Sequence, residues 1–200
     1  MSLLHPRSHQ ADNVEALRAL VDPGQGWLDR SIFWDSDIYA LELERIFARS
    51  WIFVAHDSQI PNVGDFLTTY VGEDAVIVAR ARDNQVHTFI NSCSHRGNRV
   101  CFAEAGSARR FTCNFHGWSY GLDGALAGVT AEHLYKDNPT FDREKLGLHK
   151  ARVESYGGMH FANFDPEAPS LADYLGDFRW YLDVLLDNDE GGIEFVDGNI

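Results

Sequence analysis

Two hydrophobic rhythms alternate along this chain. In residues 36–51, SDIYALELERIFARSW, apolar side chains recur at helical spacing, and Tyr39, Leu43, Ile46 and Phe47 share one face. Ser36 is the expected N-cap, Asp37 suits the first turn, and the shared face is expected to be core. A shorter helix is predicted in NVEALRALV, stopped by DPGQG. Residues 1 to about 12 favour no element and are expected to fray. From Trp51 the period becomes that of strands. WIFVAH, DFLTTYV, DAVIVARA, VHTFINSC, RRFTC, GWSYGLDGALAG, ARVESY and GMHFANF are short runs rich in aromatic and β-branched residues. Tight turns are predicted at Asp83-Asn84, Asp123-Gly124 and Tyr156-Gly157-Gly158. The pattern is that of an antiparallel β-sandwich of roughly 110 residues.

The helical rhythm returns at Ser170, which can form a capping box with Asp173. Leu171, Tyr174, Leu175, Phe178, Leu182, Leu185 and Leu186 then hold helical spacing over about four turns. A polar break, DNDEGG, precedes IEFVDGNI, which starts like a strand. The predicted organisation is an N-terminal segment over 1–35, a β domain with its leading helix over 36–165, and the truncated start of a further domain over 166–200. A sequence that stops on a fresh strand is expected to be a piece of a longer chain or one half of a split gene.

Composition narrows the function. The chain has 200 residues, 44% of them apolar, enough for a core without disulfides. A formal charge of −13 argues against nucleic acid as a partner, because phosphate binding needs a basic surface. No apolar run is long enough to span a bilayer, and MSLLHPRSHQ lacks a signal-peptide core. Three cysteines make a poor disulfide framework. The expectation is a soluble, cytoplasmic protein whose cysteines are reduced or metal-bound.

Those cysteines carry the chemistry. Cys93-Ser-His95 is followed, after 17 residues, by Cys113-Asn-Phe-His116. Each half offers one thiolate and one imidazole, followed by Arg-Gly in the first and Gly-Trp in the second. Four such ligands could hold one zinc tetrahedrally. Zinc knuckles more often pair like with like, however, and here each half is mixed. A two-iron cluster with both thiolates on one iron and both imidazoles on the other needs this mixture.

CSHRGNRVC and CNFHGW resemble the Rieske [2Fe–2S] motif. More narrowly, they resemble the N-terminal part of the large (alpha) subunit of bacterial aromatic-ring-hydroxylating dioxygenases. IFARSWIFVAHDSQIP, GDFLTTYVG, LGLHKARVESYGGMHFANFD and YLGDFRWYLD extend the likeness over roughly residues 30–198. The resemblance implies a mainly β Rieske sandwich with flanking helices, leading into an absent α+β catalytic domain. It implies that Cys93 and Cys113 hold the buried iron of a [2Fe–2S] cluster. His95 and His116 would hold the outer iron through the ring nitrogen remote from the backbone. It places the catalytic residues, and a mononuclear Fe(II) held by two histidines and a carboxylate, outside this chain. Electrons would come from NAD(P)H through a reductase, often with a ferredoxin. The family assembles as trimers of alpha subunits, commonly with small beta subunits, and converts an aromatic substrate to a cis-dihydrodiol. A stand-alone Rieske electron carrier and a zinc-stabilised interaction domain are the competing readings.

Two departures matter. Phe115 stands where the family usually has Tyr. Respiratory Rieske proteins add a disulfide and serine and tyrosine donors beside the cluster, whereas the spare thiol here is Cys101. With fewer donors, the expected potential is near the low end of the Rieske range, about −150 mV. Cys101 itself is expected to be packing. Gly97 and Gly117 are expected to let backbone N–H groups approach the cluster sulfurs, to form plain turns, or both. Trp118 is expected to cover the cluster or to fill the core. His56, His87, His133, His149 and His160 read as ordinary surface or core histidines. Arg96, Arg99, Arg109 and Arg110 form either a local dock for an acidic donor or a set of scattered salt bridges.

Overall fold

The computed structural model describes residues 14–135, 138 and 141–196. The tail with His5 and His9, and residues 197–200, lie outside them. The chain opens with α1 (Val14–Arg18) and a hairpin of β1 (Val21–Asp22) and β2 (Trp27–Leu28). Then comes α2 (Ser36–Glu42), one residue out of the expected frame at its start. Its cap is Asp35, whose carboxylate accepts from the Asp37 and Ile38 amides, and Ser36 is the first helical residue. The helix continues over Leu43–Phe47 as a wider π turn, in which the Ala48 amide reaches back to Leu43. That extra residue rotates the predicted apolar face. Leu41 and Leu43 are buried, whereas Tyr39 and Ile46 are exposed, so the four-residue core face is not formed.

Each predicted run from WIFVAH to GMHFANF contains a strand. The strands are β3 (Ile52–His56), β4 (Asp65–Val71), β5 (Asp74–Arg80), β6 (Val86–Ile90), β7 (Ala105–Ser107) and β8 (Phe111–Thr112). There follow β9 (Ser119–Tyr120), β10 (Leu126–Gly128), β11 (Arg152–Tyr156) and β12 (Met159–Asn163). They pair antiparallel as β6-β5-β4-β7, β11-β12-β3 and β10-β9-β8. The first two sheets join along one edge, where Ile90 and Ala151 exchange backbone hydrogen bonds with His149 and Thr88. Asn84, Gly124, Gly157 and Gly158 take positive φ at the three predicted turns.

β5 explains the layering. Its run DAVIVARA is apolar throughout because both faces are covered. Val76 and Val78 point into a core with Val54, Ile60 and Ile90. Ile77 and Ala79 point the other way, into a core with Phe66, Phe89, Phe111 and Tyr120. The second core carries the β8–β10 hairpins, and with them both cysteine-histidine loops.

The C-terminal helix differs from its sequence pattern. Ser170 caps it as expected, accepting from the Asp173 amide. Gly176, at φ +49°, ends α3 (Leu171–Leu175), and α4 (Phe178–Leu186) starts afresh. Of the seven apolar positions only Leu171 is buried, and Phe178 and Leu185 are exposed. Residues 193–196 form no strand.

One polar knot ties β5 to β12. The Asp57 carboxylate accepts from His160 Nε2 at 2.8 Å and pairs with the Arg80 guanidinium. Arg80 also donates to the carbonyls of Ile60 and Asn84. Burial alone would raise the Asp57 carboxyl, but His160 and Arg80 outweigh it and hold it below its ordinary 3.8. A carboxyl lowered in the folded state stabilises above its unfolded value, and that contribution is lost as pH falls through the lowered one. Asp57→Asn should therefore destabilise at pH 7 by about 1–2 kcal/mol, because Arg80 keeps two carbonyl partners. In denaturant titrations its deficit against wild type should shrink as pH drops below 3.8.

Candidate metal centre

The two loops are built alike. In the first, the Cys93 amide donates to the Asn98 carbonyl (2.8 Å) and the Gly97 amide to the Cys93 carbonyl (2.7 Å). In the second, Cys113 donates to Trp118 (2.8 Å) and Gly117 to Cys113 (2.9 Å). Gly97 and Gly117 sit at φ +73° and +72°, where a side chain is strained, and a Cβ on Gly117 would lie 2.4 Å from Thr130 Oγ1. Their own amides are thus consumed in closing the turns, and the turns leave neighbouring amides to approach sulfur. The amides that reach sulfur belong to other residues: His95 toward Cys93, and Phe115 and His116 toward Cys113.

Side chains fasten the loops to each other and to the core. Buried Asn91 accepts from the Val100 and Cys101 amides and donates to the Cys101 carbonyl. Asn98 donates to Asn114 Oδ1 (3.0 Å) and approaches Cys113 Sγ (3.6 Å), bridging the loops. Tyr120, fully buried on β9, puts its hydroxyl 3.1 Å from Cys93 Sγ. That hydroxyl accepts the Ser94 amide, so its own proton is free for the sulfur. Sequence reasoning missed Tyr120, Asn91 and Asn98. Tyr120 had a signal, since a tyrosine inside a core strand must find a polar partner.

The four predicted site residues separate into two pairs. Cys93 and Cys113 are buried and adjoin each other. His95 and His116 are half-buried at the outer edge, with ring centroids 4.6 Å apart. Among the described residues, no three His, Cys, Asp or Glu side chains converge as the shell of one ion requires. Two thiols inside and two imidazoles outside suit a binuclear group better than one zinc. His95 Nδ1 is buried without a hydrogen-bond partner. A buried orphan nitrogen at such a site is what a metal would satisfy. The atom so placed in His95 is the nitrogen nearer the backbone, not the remote one expected from the sequence.

The electrostatics act differently on the members of this site. Burial raises the Cys93 thiol, opposed by the Tyr120 hydrogen bond and the His95 amide, and the net direction is up. Burial also acts to raise Cys113, but the amides of Phe115 and His116 and the side chain of Asn98 outweigh it and lower it. Burial, with His116 and Arg96 nearby, lowers His95, which keeps its imidazole neutral as ligation demands.

Trp118 is buried, as the core reading expects, and stacks on His95 at 4.7 Å and 10°. Exposed Phe115 lies against His116 at 4.1 Å. Cys101 is buried and its thiol is raised by burial, as packing requires. The arginines do not form one patch. Arg96 lies over Phe115, and Arg99 lies over Phe102 and donates to the Cys101 carbonyl. Arg109 and Arg110 join Arg82 in a separate cleft. None of the four enters an ion pair among the described residues. His56 and His160 are buried core histidines, and His87 pairs with Asp83. Among the described residues, no helix is long and apolar enough to cross a membrane.

Comparison with known proteins agrees with this geometry. The Rieske [2Fe-2S] domain family matches residues 50–140. Biphenyl dioxygenase subunit alpha of Metapseudomonas furukawaii is 46% identical over 189 residues, 92% of this chain and 41% of that relative. Benzene 1,2-dioxygenase subunit alpha of Pseudomonas putida is 43% identical, over 96% of this chain and 42% of its own length. The crystal structure of naphthalene 1,2-dioxygenase from Rhodococcus sp. bound to indole superposes with a TM-score of 0.74 at 39% identity, covering 81% of this chain and 37% of that one. This chain thus spans about two fifths of the curated relatives it matches. The chain carries a Rieske [2Fe–2S] domain and is homologous, over nearly its whole length, to the Rieske part of aromatic-ring dioxygenase alpha subunits.

Proposed function

We propose that Cys93 and Cys113 bind one iron of the [2Fe–2S] cluster and His95 and His116 the other. The observation that carries the assignment is the pairwise split of buried thiols and outer imidazoles, together with the buried, unpartnered Nδ1 of His95. When bound, the cluster supplies a one-electron store whose neutral imidazole ligands raise its potential above that of an all-thiolate centre. The protein's own part is to exclude water from the sulfurs with Trp118 and the aromatic core. It also holds both imidazoles at the surface edge and aims Tyr120 and four backbone or amide donors at the sulfurs.

In this reading the chain is the electron-accepting part of an aromatic-ring-hydroxylating dioxygenase alpha subunit, with residues 36–165 as the cluster-carrying unit. A ferredoxin or reductase passes it single electrons. It delivers them to a mononuclear Fe(II) site held elsewhere, where O2 is added to an aromatic ring. Assembly as a trimer of alpha subunits and a cytoplasmic location belong to the same proposal. Support comes from relatives named for biphenyl and benzene, matched over more than nine tenths of this chain. That breadth favours an oxygenase part over a stand-alone Rieske carrier.

The assignment is checked by metal and sulfide analysis with EPR of the reduced protein. Two irons and two sulfides per chain are expected, with an anisotropic low-g spectrum. Cys113→Ala should abolish both, and a colourless protein with one zinc would overturn the reading. Tyr120→Phe should keep the cluster but lower its reduction potential by about 40 mV, the one-electron equivalent of about 1 kcal/mol for one lost hydrogen bond to sulfur. Redox titration followed by EPR measures it.

A further inference from the structure

The expected four-arginine dock is not formed, so the site of donor contact has to be sought elsewhere. Two clefts of roughly 680 Å³ flank the second core. One gathers Arg82, Arg109 and Arg110 but includes none of the four candidate ligands. The other runs beside the first cysteine-histidine loop and is lined by Cys93 itself, with Ser92, Ser94, Glu144, Lys145 and Lys150. The whole chain has three lysines, Lys136, Lys145 and Lys150, so two of the three stand on this one cleft in a protein of net charge −13. Lys150 is exposed and enters no ion pair among the described residues. Lys145 pairs with Asp142 at 3.0 Å, but its side chain is 82% exposed, and such a pair is worth little and yields readily to a competing carboxylate. Glu144 is the one acidic residue on the wall.

The wall is fixed relative to the cluster loop. Ser94 Oγ donates to the Gly147 carbonyl at 2.7 Å, and the Leu148 amide donates to Gly124. Gly147 packs so closely on Gly124 that a Cβ there would lie 3.1 Å from its carbonyl oxygen. A partner held by the lysines is therefore held in register with Cys93. The histidine edge, at His95 and His116, is left open for the electron acceptor.

We propose that this lysine-lined cleft is the docking surface for an acidic iron–sulfur electron donor, separate from the histidine edge. The inference rests on the electron-relay reading above. In the docked pair the donor is oxidised by one electron and this domain is reduced by one; no atom is transferred. Carboxylates on the donor meet Lys145 and Lys150, so association falls as salt screens them.

The test uses the cluster-loaded protein and an acidic plant-type [2Fe–2S] ferredoxin as probe, with binding measured by calorimetry at low and high ionic strength. The double variant Lys145→Glu/Lys150→Glu should weaken binding about tenfold and flatten its salt dependence. The rate of cluster reduction by the same ferredoxin should fall in parallel in stopped flow. Arg109→Glu/Arg110→Glu should stay within about twofold of wild type. Unchanged affinity in the lysine variant, loss in the arginine variant, or no binding to wild type overturns the proposal. EPR and redox titration of each variant, done first, separate a failed dock from a failed cluster assignment: an intact signal at unchanged potential with normal binding sinks only the dock.

Discussion

Two sulfur atoms must be kept out of water and still be given hydrogen-bond donors, and much of this domain is arranged around that requirement. A buried thiolate without donors is costly. Cys93 and Cys113 are 3% and 1% exposed, so neither can turn to solvent for help. Their donors come from inside: the amides of His95, Phe115 and His116, the side chain of Asn98, and the hydroxyl of Tyr120. The loops need positive φ at Gly97 and Gly117 to aim those amides inward, and Asn91 and Asn98 to stay in place. The turn geometry, the polar staples and the redox chemistry answer one constraint.

The scaffold that presents these loops is a strand with two insides. β5 sends alternate side chains into two cores, so a change on one face is felt by the strand that bounds the other. One core holds β3, β4, β6 and β12 together. The other is the platform from which β6 and β8 deliver the two loops. The Asp57 knot fastens the far side of the same sheet through Arg80, at the end of β5.

The strands and the four candidate ligands were legible in the sequence because each follows a local rule: period-two runs between turn residues, and a mixed thiolate-imidazole spacing with few alternative uses. What was not legible depends on neighbours distant in sequence. The π turn at Leu43–Phe47 rotated a helical face that looked like core, and nothing local marks where an extra residue enters a turn. Gly176 lay inside an apparently continuous stripe, yet its left-handed conformation cut the helix in two. The arginines adjacent in sequence to the loops could have formed one patch or scattered ion pairs, but Arg109 and Arg110, just before β8, join Arg82 in a separate cleft while Arg96 lies over Phe115. Tyr120 was hidden because its partner, Cys93, lies 27 residues away. The side of the imidazole that faces the site required coordinates, since both nitrogens are chemically fit to ligate.

Burial and charge together give the centre a direction. The thiol pair is enclosed and the imidazole pair stands at the edge, so the imidazoles are the groups a partner can approach. A cluster with two sulfides, two thiolates and two neutral imidazoles carries no net charge when oxidised and a single negative charge when reduced. An electron entering such a cluster would add charge beside sulfurs at which Tyr120, Asn98 and the loop amides already point, and each of those donors would favour the reduced form. One of those donors, the Tyr120 hydroxyl, was not counted in the sequence-based expectation, which considered Phe115. Phe115 contributes instead as a hydroxyl-free surface against His116, beneath the Arg96 guanidinium. Hydrogen-bond donation to this centre thus comes from the buried strand, while its exposed edge is aromatic and cationic, an edge suited to contact with another protein rather than with water.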